Sequence, residues 1–152
     1  MSDTRIPTST FVSESTVIEA PFAEVWHKIK LANFADFWSK LEKSDASHGA
    51  NHEADVVKWK FIDGTELEVK QEAHSSIDHY ITYSVISSKP ALTYSSVVST
   101  IRVYPVTTGK HEGHAYVVWT GNFSSDADAS VIEDAKFKRR EALADLAKSV
   151  GQ

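Results

Sequence analysis

Apolar positions recur along this chain with two periods. Over most of its length they alternate one by one with polar positions, as half-buried strands do. Near the start and at the end they recur every three or four residues, as amphipathic helices do. The clearest helical stretch runs from Ser130 to Val150. At about 100° per residue, Val131, Ile132, Ala135, Ala142, Leu143, Leu146 and Val150 share one face, while Glu133, Asp134, Lys136, Lys138, Glu141, Asp145 and Lys148 lie at or beyond its edges. Ser130 with Glu133 predicts a capping box, Asp126 offers an alternative start a turn earlier, and Gly151 predicts the stop. Arg139 falls near the middle of the apolar stripe, where a charge must snorkel out, find a partner or face a cavity.

Upstream, Phe11 to Glu19 is rich in β-branched residues and predicts the first strand. Pro21 suits the first position of a helix whose face carries Phe22, Val25, Trp26 and Ile29. Asn33 predicts the N-cap of a second short helix carrying Phe34, Phe37, Trp38 and Leu41. Lys43 to Asp55 is polar and predicts an irregular loop or weak strand. Alternation then sets in. Val57, Trp59 and Phe61 alternate with Lys58 and Lys60, and Asp63-Gly64 predicts a two-residue hairpin turn. Leu67, Val69 and Ala73 alternate with Glu66, Glu68, Lys70 and Glu72; after a turn at Ser75-Ser76, Ile81, Tyr83 and Val85 follow the same rule. Ser87 to Pro90 should break the sheet. Tyr94 to Tyr104 predicts a long strand with Val97, Ile101 and Val103 on one face; after a polar loop from Thr107 to Gly113, Ala115, Val117, Trp119, Gly121 and Phe123 form one face of the last strand. Hairpin succession gives an antiparallel meander, and a sheet with one apolar face needs a cover, which the last helix can supply.

A length of 152 residues suits one domain, here 11–152 behind a disordered lead-in at 1–10. A domain of this size buries ~68–70% of its unfolded surface, so it needs no staples. Cysteine is absent, which removes disulfides and thiol chemistry and fits a cytoplasmic location. Sixteen basic against twenty-one acidic residues argue against a nucleic-acid partner. No apolar run reaches the ~20 residues that span a bilayer, and the start lacks the apolar core of a signal peptide.

Ala20-Pro21 before Val25-Trp26 and Ile29, then Phe34 and Phe37-Trp38, Ile62-Asp63-Gly64, Ile101 to Pro105, and Val117 to Phe123 before the last helix make up an ordered set. In that order and spacing the chain resembles the START-related superfamily that includes the major birch pollen allergen, over roughly Thr16 to Val150. Within it, the polyketide cyclase/dehydrase and lipid-transport group is the most similar. The resemblance implies an α+β helix-grip fold: a curved antiparallel sheet of about seven strands, two short helices after the first strand, and a long C-terminal helix. It also implies a hydrophobic cavity between sheet and helix, which members use to bind or carry sterols, hormones, lipids or polyketides, and a minority use for chemistry.

Trp59, Tyr83 and Trp119 share strand faces with apolar residues, and aromatics with polar tips suit a small-molecule cavity as well as they suit a core. The residues expected to bind ligand are Phe34, Trp38, Trp59, Tyr83, Val97, Trp119, Arg139 and Ala142. Arg139 could pair with a ligand carboxylate or phosphate, or with an inward acid of the protein. Lys58 stands near where related synthases place a basic residue, but parity turns it to solvent, and no partner acid for a cyclase is evident beyond Glu68 and Glu72. His48, His52 and Glu53 have metal-ligand spacing without a helix to hold it, and His111 and His114 bracket a glycine turn; no metal site is expected. His74 is expected at a surface turn, and Phe137 on the polar side of the last helix. No phosphate loop is present. Lys136, Lys138, Arg139 and Arg140 are interspersed with acids, as on a solvated helix face.

The sequence therefore predicts a monomer or weak dimer that binds or transports a small hydrophobic or amphipathic molecule, without a cofactor. An enzyme is the less favoured reading; it would be a cofactor-free cyclase, dehydratase or isomerase with two titratable groups converging in the cavity. A protein-interaction module would instead show a filled core and an exposed apolar patch.

Overall fold

The computed structural model describes residues 9–46 and 55–151. The elements run β1 (Phe11–Pro21), α1 (Phe22–His27), a 3₁₀ helix (Leu31–Asp36), β2 (Leu41–Ala46), β3 (Val56–Phe61), β4 (Glu66–Ser75), β5 (Tyr80–Lys89), β6 (Val97–Pro105), β7 (His114–Phe123) and α2 (Ala129–Ser149). The strands form one seven-stranded sheet in the order β1-β7-β6-β5-β4-β3-β2, with every neighbouring pair antiparallel. The sheet curls around α2, giving the expected helix-grip fold. Among the described residues no helix is long and apolar enough to cross a membrane. Of the expected lead-in at 1–10, residues 1–8 lie outside the described residues, as do His48, His52 and Glu53, while the Thr10 carbonyl accepts from the Phe123 amide at 2.9 Å.

Alternation delivers the inner face as read. Ala115, Val117, Trp119, Gly121 and Phe123 of β7 are buried, as are Val97, Ser99, Ile101 and Val103 of β6. The α2 stripe buries Ile132, Ala135, Arg139, Ala142, Leu143 and Leu146 and leaves Phe137 exposed. Polar contacts fasten the helix on two sides. Arg140 Nε pairs with Glu14 of β1 at 3.0 Å, and Asp145 accepts from the Ser39 amide at 2.9 Å and the Ser39 hydroxyl at 2.7 Å.

Local details depart from the sequence reading. The cap of α2 is Asp128, whose side chain accepts from the Val131 amide, while Ser130 donates to Asp128; the Ser130–Glu133 box is not used. A carboxylate two residues earlier accepts from the orphan Val131 amide, so the helix starts there. The second short helix is a 3₁₀ turn beginning at Leu31, with extended Lys30 before it and no side-chain cap; Asn33 lies inside it and Leu41 opens β2. Residues within 43–55, read as loop or weak strand, include the end of β2. The Asp63-Gly64 turn spans four residues, 62–65, with Gly64 at φ +94° and Asp63 accepting from the Thr65 amide. Ser87 and Ser88 continue β5, paired with Glu68 and Leu67, because a register shift absorbs Ile86. A second shift between Gln71 and Ala73 leaves Glu72 unmatched and turns Ala73 to solvent, the usual consequence of a bulge.

Candidate functional site

A cavity of about 440 Å³ lies between the sheet and α2. Its walls come from β3, β4, β5, β6 and β7 on one side, from Val131, Asp134, Ala135, Lys138 and Arg139 of α2 on the other, and from the β5–β6 connection. Of the residues predicted to bind ligand, Trp38, Trp59, Tyr83, Val97, Trp119 and Arg139 line it together. Phe34 and Ala142 do not. Phe34 is sealed behind the wall, with its ring 5.2 Å from Trp59 and 5.6 Å from Trp119, and Ala142 is buried in the helix–sheet core. The apolar period of their helices could not separate these from the lining residues, because inward positions fill both the core and the cavity wall.

The aromatic wall is held edge to face. Trp38 meets Trp59, Phe61 and Trp119 at centroid distances of 5.9, 5.2 and 5.7 Å, and Trp59 meets Tyr83 at 5.4 Å. Such offsets are the favoured arrangement of ring quadrupoles and fix the rings without filling the space between them. The polar tips of Trp59 and Trp119 are spoken for, whereas Trp38 Nε1 is buried without a partner. Trp59 Nε1 donates to the Leu31 carbonyl at 2.9 Å, and Trp119 Nε1 donates to the Tyr83 hydroxyl at 3.0 Å. Burial pushes the Tyr83 phenol above its ordinary range, with the Arg139 charge and hydrogen bonds from Ser99 and Trp119 pulling the other way. Tyr83 is therefore a neutral phenol at physiological pH.

Of the charged residues on the wall, Arg139 is the buried one, with 9% of its surface exposed. Its Nη2 donates to Ser99 Oγ at 2.8 Å and its Nη1 to the Ala135 carbonyl at 3.2 Å. The guanidinium lies 5.7 Å from the ring centres of both Trp119 and Phe123. Burial pulls its pKa down from the ordinary value, and Tyr83, Tyr94 and Glu14 oppose that pull. The inward acid that could have paired with it is not there: among the described residues no carboxylate lies within ion-pair distance. Glu14 is engaged by Arg140, and Asp134, the acid on the cavity wall, by Lys138 at 2.9 Å. Nor does Arg139 snorkel, since α2 presents it to the sheet. Gly121 on β7 makes room for it; a Cβ there would stand 2.6 Å from Nη2.

The other candidates stay away from the cavity. Lys58 is exposed, opposite Glu68, and Glu72 accepts from Ser84 on the surface. His74 lies in β4 opposite Ile81, not at the expected turn, and stacks on Trp26 at 5.8 Å, outside the cavity. His111 lies near His114 and Glu19, with Nδ1 atoms of the two histidines 3.4 Å apart. Among the described residues no group of three or more acidic or histidine ligands could hold a metal. Sequence reasoning missed Ser99, Tyr94 and Phe61. Ser99 was within reach, because it sits at inward parity between Val97 and Ile101, where a hydroxyl needs a reason.

No family model matches the chain, and no curated protein sequence matches it. Solved structures do. The protein XoxI from Bacillus cereus superposes with a TM-score of 0.79 at 20% identity, over 93% of this chain and 95% of that one. Major latex-like protein 151 from Panax ginseng gives 0.69 at 18% identity, over 93% and 97%. A START superfamily protein from Mycobacterium smegmatis gives 0.64 at 9% identity, over 91% and 92%. At such identities the likeness establishes architecture, and the chain has the helix-grip fold of the START-related and birch-pollen-allergen-like proteins that its sequence resembles.

Proposed function

We propose that this protein binds a small hydrophobic or amphipathic molecule in the cavity between the sheet and α2. The observation that carries the reading is the cavity itself: about 440 Å³ walled by Trp38, Trp59, Phe61, Leu67, Tyr83, Val85 and Trp119, within the range in which small-molecule sites occur. An apolar guest there would gain ~25 cal/mol for each Å² of its surface removed from water. The helix-grip architecture, with α2 laid across the curled sheet, supports the same reading.

The cyclase, dehydratase or isomerase alternative asks for an acid and a base converging on the guest. The titratable groups on the wall are Tyr83, Tyr94, Asp134, Lys138 and Arg139, and Asp134 and Lys138 are paired with each other. This inventory favours holding a guest over transforming it. Native mass spectrometry of the freshly purified protein, followed by organic extraction, tests the proposal. A stoichiometric added mass that extracts as an apolar or amphipathic molecule is the expected result. A bare chain that also takes up no apolar probe would count against it.

A further inference from the structure

We propose that the guest is an amphipathic acid, an apolar body with one anionic head, and that Arg139 receives the head at the inner wall. The inference rests on the binding reading above and names the chemistry of the ligand.

Three observations carry it. The first is an unbalanced charge. Arg139 is nine-tenths buried, yet its partners are a hydroxyl and a backbone carbonyl, both neutral. Buried guanidinium groups are normally balanced by an anion, because desolvation without one is costly. Here both acids that come near are already engaged by other cations. The second is the sign of the unmet hydrogen bonding. Among the lining residues, Arg139 Nε and Trp38 Nε1 are buried without a partner, and both are donors. Their complement is an acceptor, and an anionic oxygen pair satisfies a guanidinium best. The third is that the room for the guanidinium depends on the residue opposite. Gly121 is the residue whose missing side chain lets Nη2 reach Ser99. The aromatic and aliphatic wall from Phe61 to Tyr94 then faces the body of the guest.

The test uses two probes of equal chain length that differ in charge, decanoic acid and decanol, titrated near neutral pH and followed by tryptophan fluorescence. The wild-type chain is expected to bind both, and the acid more tightly by on the order of 10–100-fold, the range of a charge-assisted hydrogen-bonded pair. Arg139→Met should bring the two affinities together while leaving decanol binding in place, and Arg139→Lys should restore part of the preference. Arg139→Met removes the desolvation cost of an unpaired charge but also the bond that Ser99 accepts, so the readout is the acid-over-alcohol preference of a variant that still melts cooperatively. If that variant fails to fold, Gly121→Ala, which displaces the guanidinium but keeps the charge, should also erase the preference. Equal affinity of the wild-type chain for acid and alcohol, or an acid preference that survives Arg139→Met, overturns the proposed head-group site while the cavity reading stands. Failure of both probes to bind the wild-type chain removes the cavity reading itself.

Discussion

Gly121→Ala is the substitution whose sign is most informative. On an ordinary strand, replacing glycine by alanine stabilises by roughly 0.5–1 kcal/mol, because the unfolded chain has less entropy to lose. At this position the new Cβ would stand 2.6 Å from Arg139 Nη2 and 3.2 Å from both Cζ and the Phe123 ring. The guanidinium is the far end of a long side chain and can swing. Swinging breaks its 2.8 Å bond to Ser99, which leaves a buried hydroxyl and a buried charge with less to hold them. A hydrogen bond to a charged group is worth about 1.5–3 kcal/mol, which outweighs the propensity gain and leaves a net loss of roughly 0.5–2.5 kcal/mol. Urea unfolding followed by tryptophan fluorescence should show a lower midpoint with an unchanged slope. The control is the same substitution in an Arg139→Met background, where the atom in the way is gone and the cost should shrink by about 1 kcal/mol or more. Equal costs in the two backgrounds, or a stabilising Gly121→Ala in the wild type, would refute the account of how Arg139 is seated.

Leu146→Ala, at a fully buried point of the α2 stripe, should cost ~2–5 kcal/mol in urea unfolding, because the helix and sheet cannot close over the hole. Asp128→Ala should lower the melting temperature more than Ser130→Ala, since Asp128 accepts from the Val131 amide and Ser130 only supports it; the reverse order would restore the capping box. Asp126 accepts from Ser124 and Ser95, which lowers its pKa from 3.8 to about 2. A depressed carboxylate stabilises the fold above its ordinary pKa and loses that contribution as pH falls through the folded value of about 2. Asp126→Asn should thus be less stable than wild type near neutral pH, with the gap closing in acid; a gap that is the same across the acid limb would contradict this.

The period of the apolar pattern carried most of the architecture. It placed α2 with its stripe, the inner faces of β6 and β7, and Arg139 near the middle of that stripe, because burial of one face is what the pattern records. What escaped is what a period cannot hold. Two register shifts between β4 and β5 carry β5 past Ser87 and turn Ala73 outward, and nothing in the local composition marks the unmatched Ile86 and Glu72. The choice of Asp128 over Ser130 as cap depends on a difference between two good capping residues that tertiary packing decides. At the site, six of eight expected residues line the cavity, while Phe34 and Ala142 are buried one layer away, a distinction set by ring orientation and helix position. Ser99 was overlooked because a lone serine barely perturbs a hydrophobic pattern, even though it is the hydroxyl on which the buried charge rests.

The central claim is that the space between sheet and helix is where a small molecule goes, and the four tryptophans report on it directly. Trp38, Trp59 and Trp119 line the cavity, whereas Trp26 packs outside it against His74 and His79. A correlation spectrum of the indole N–H groups, recorded while decanoic acid is titrated in, resolves each tryptophan. The account predicts saturable shifts at Trp38, Trp59 and Trp119 with Trp26 still. Shifts confined to Trp26, or none at saturating probe, would contradict it.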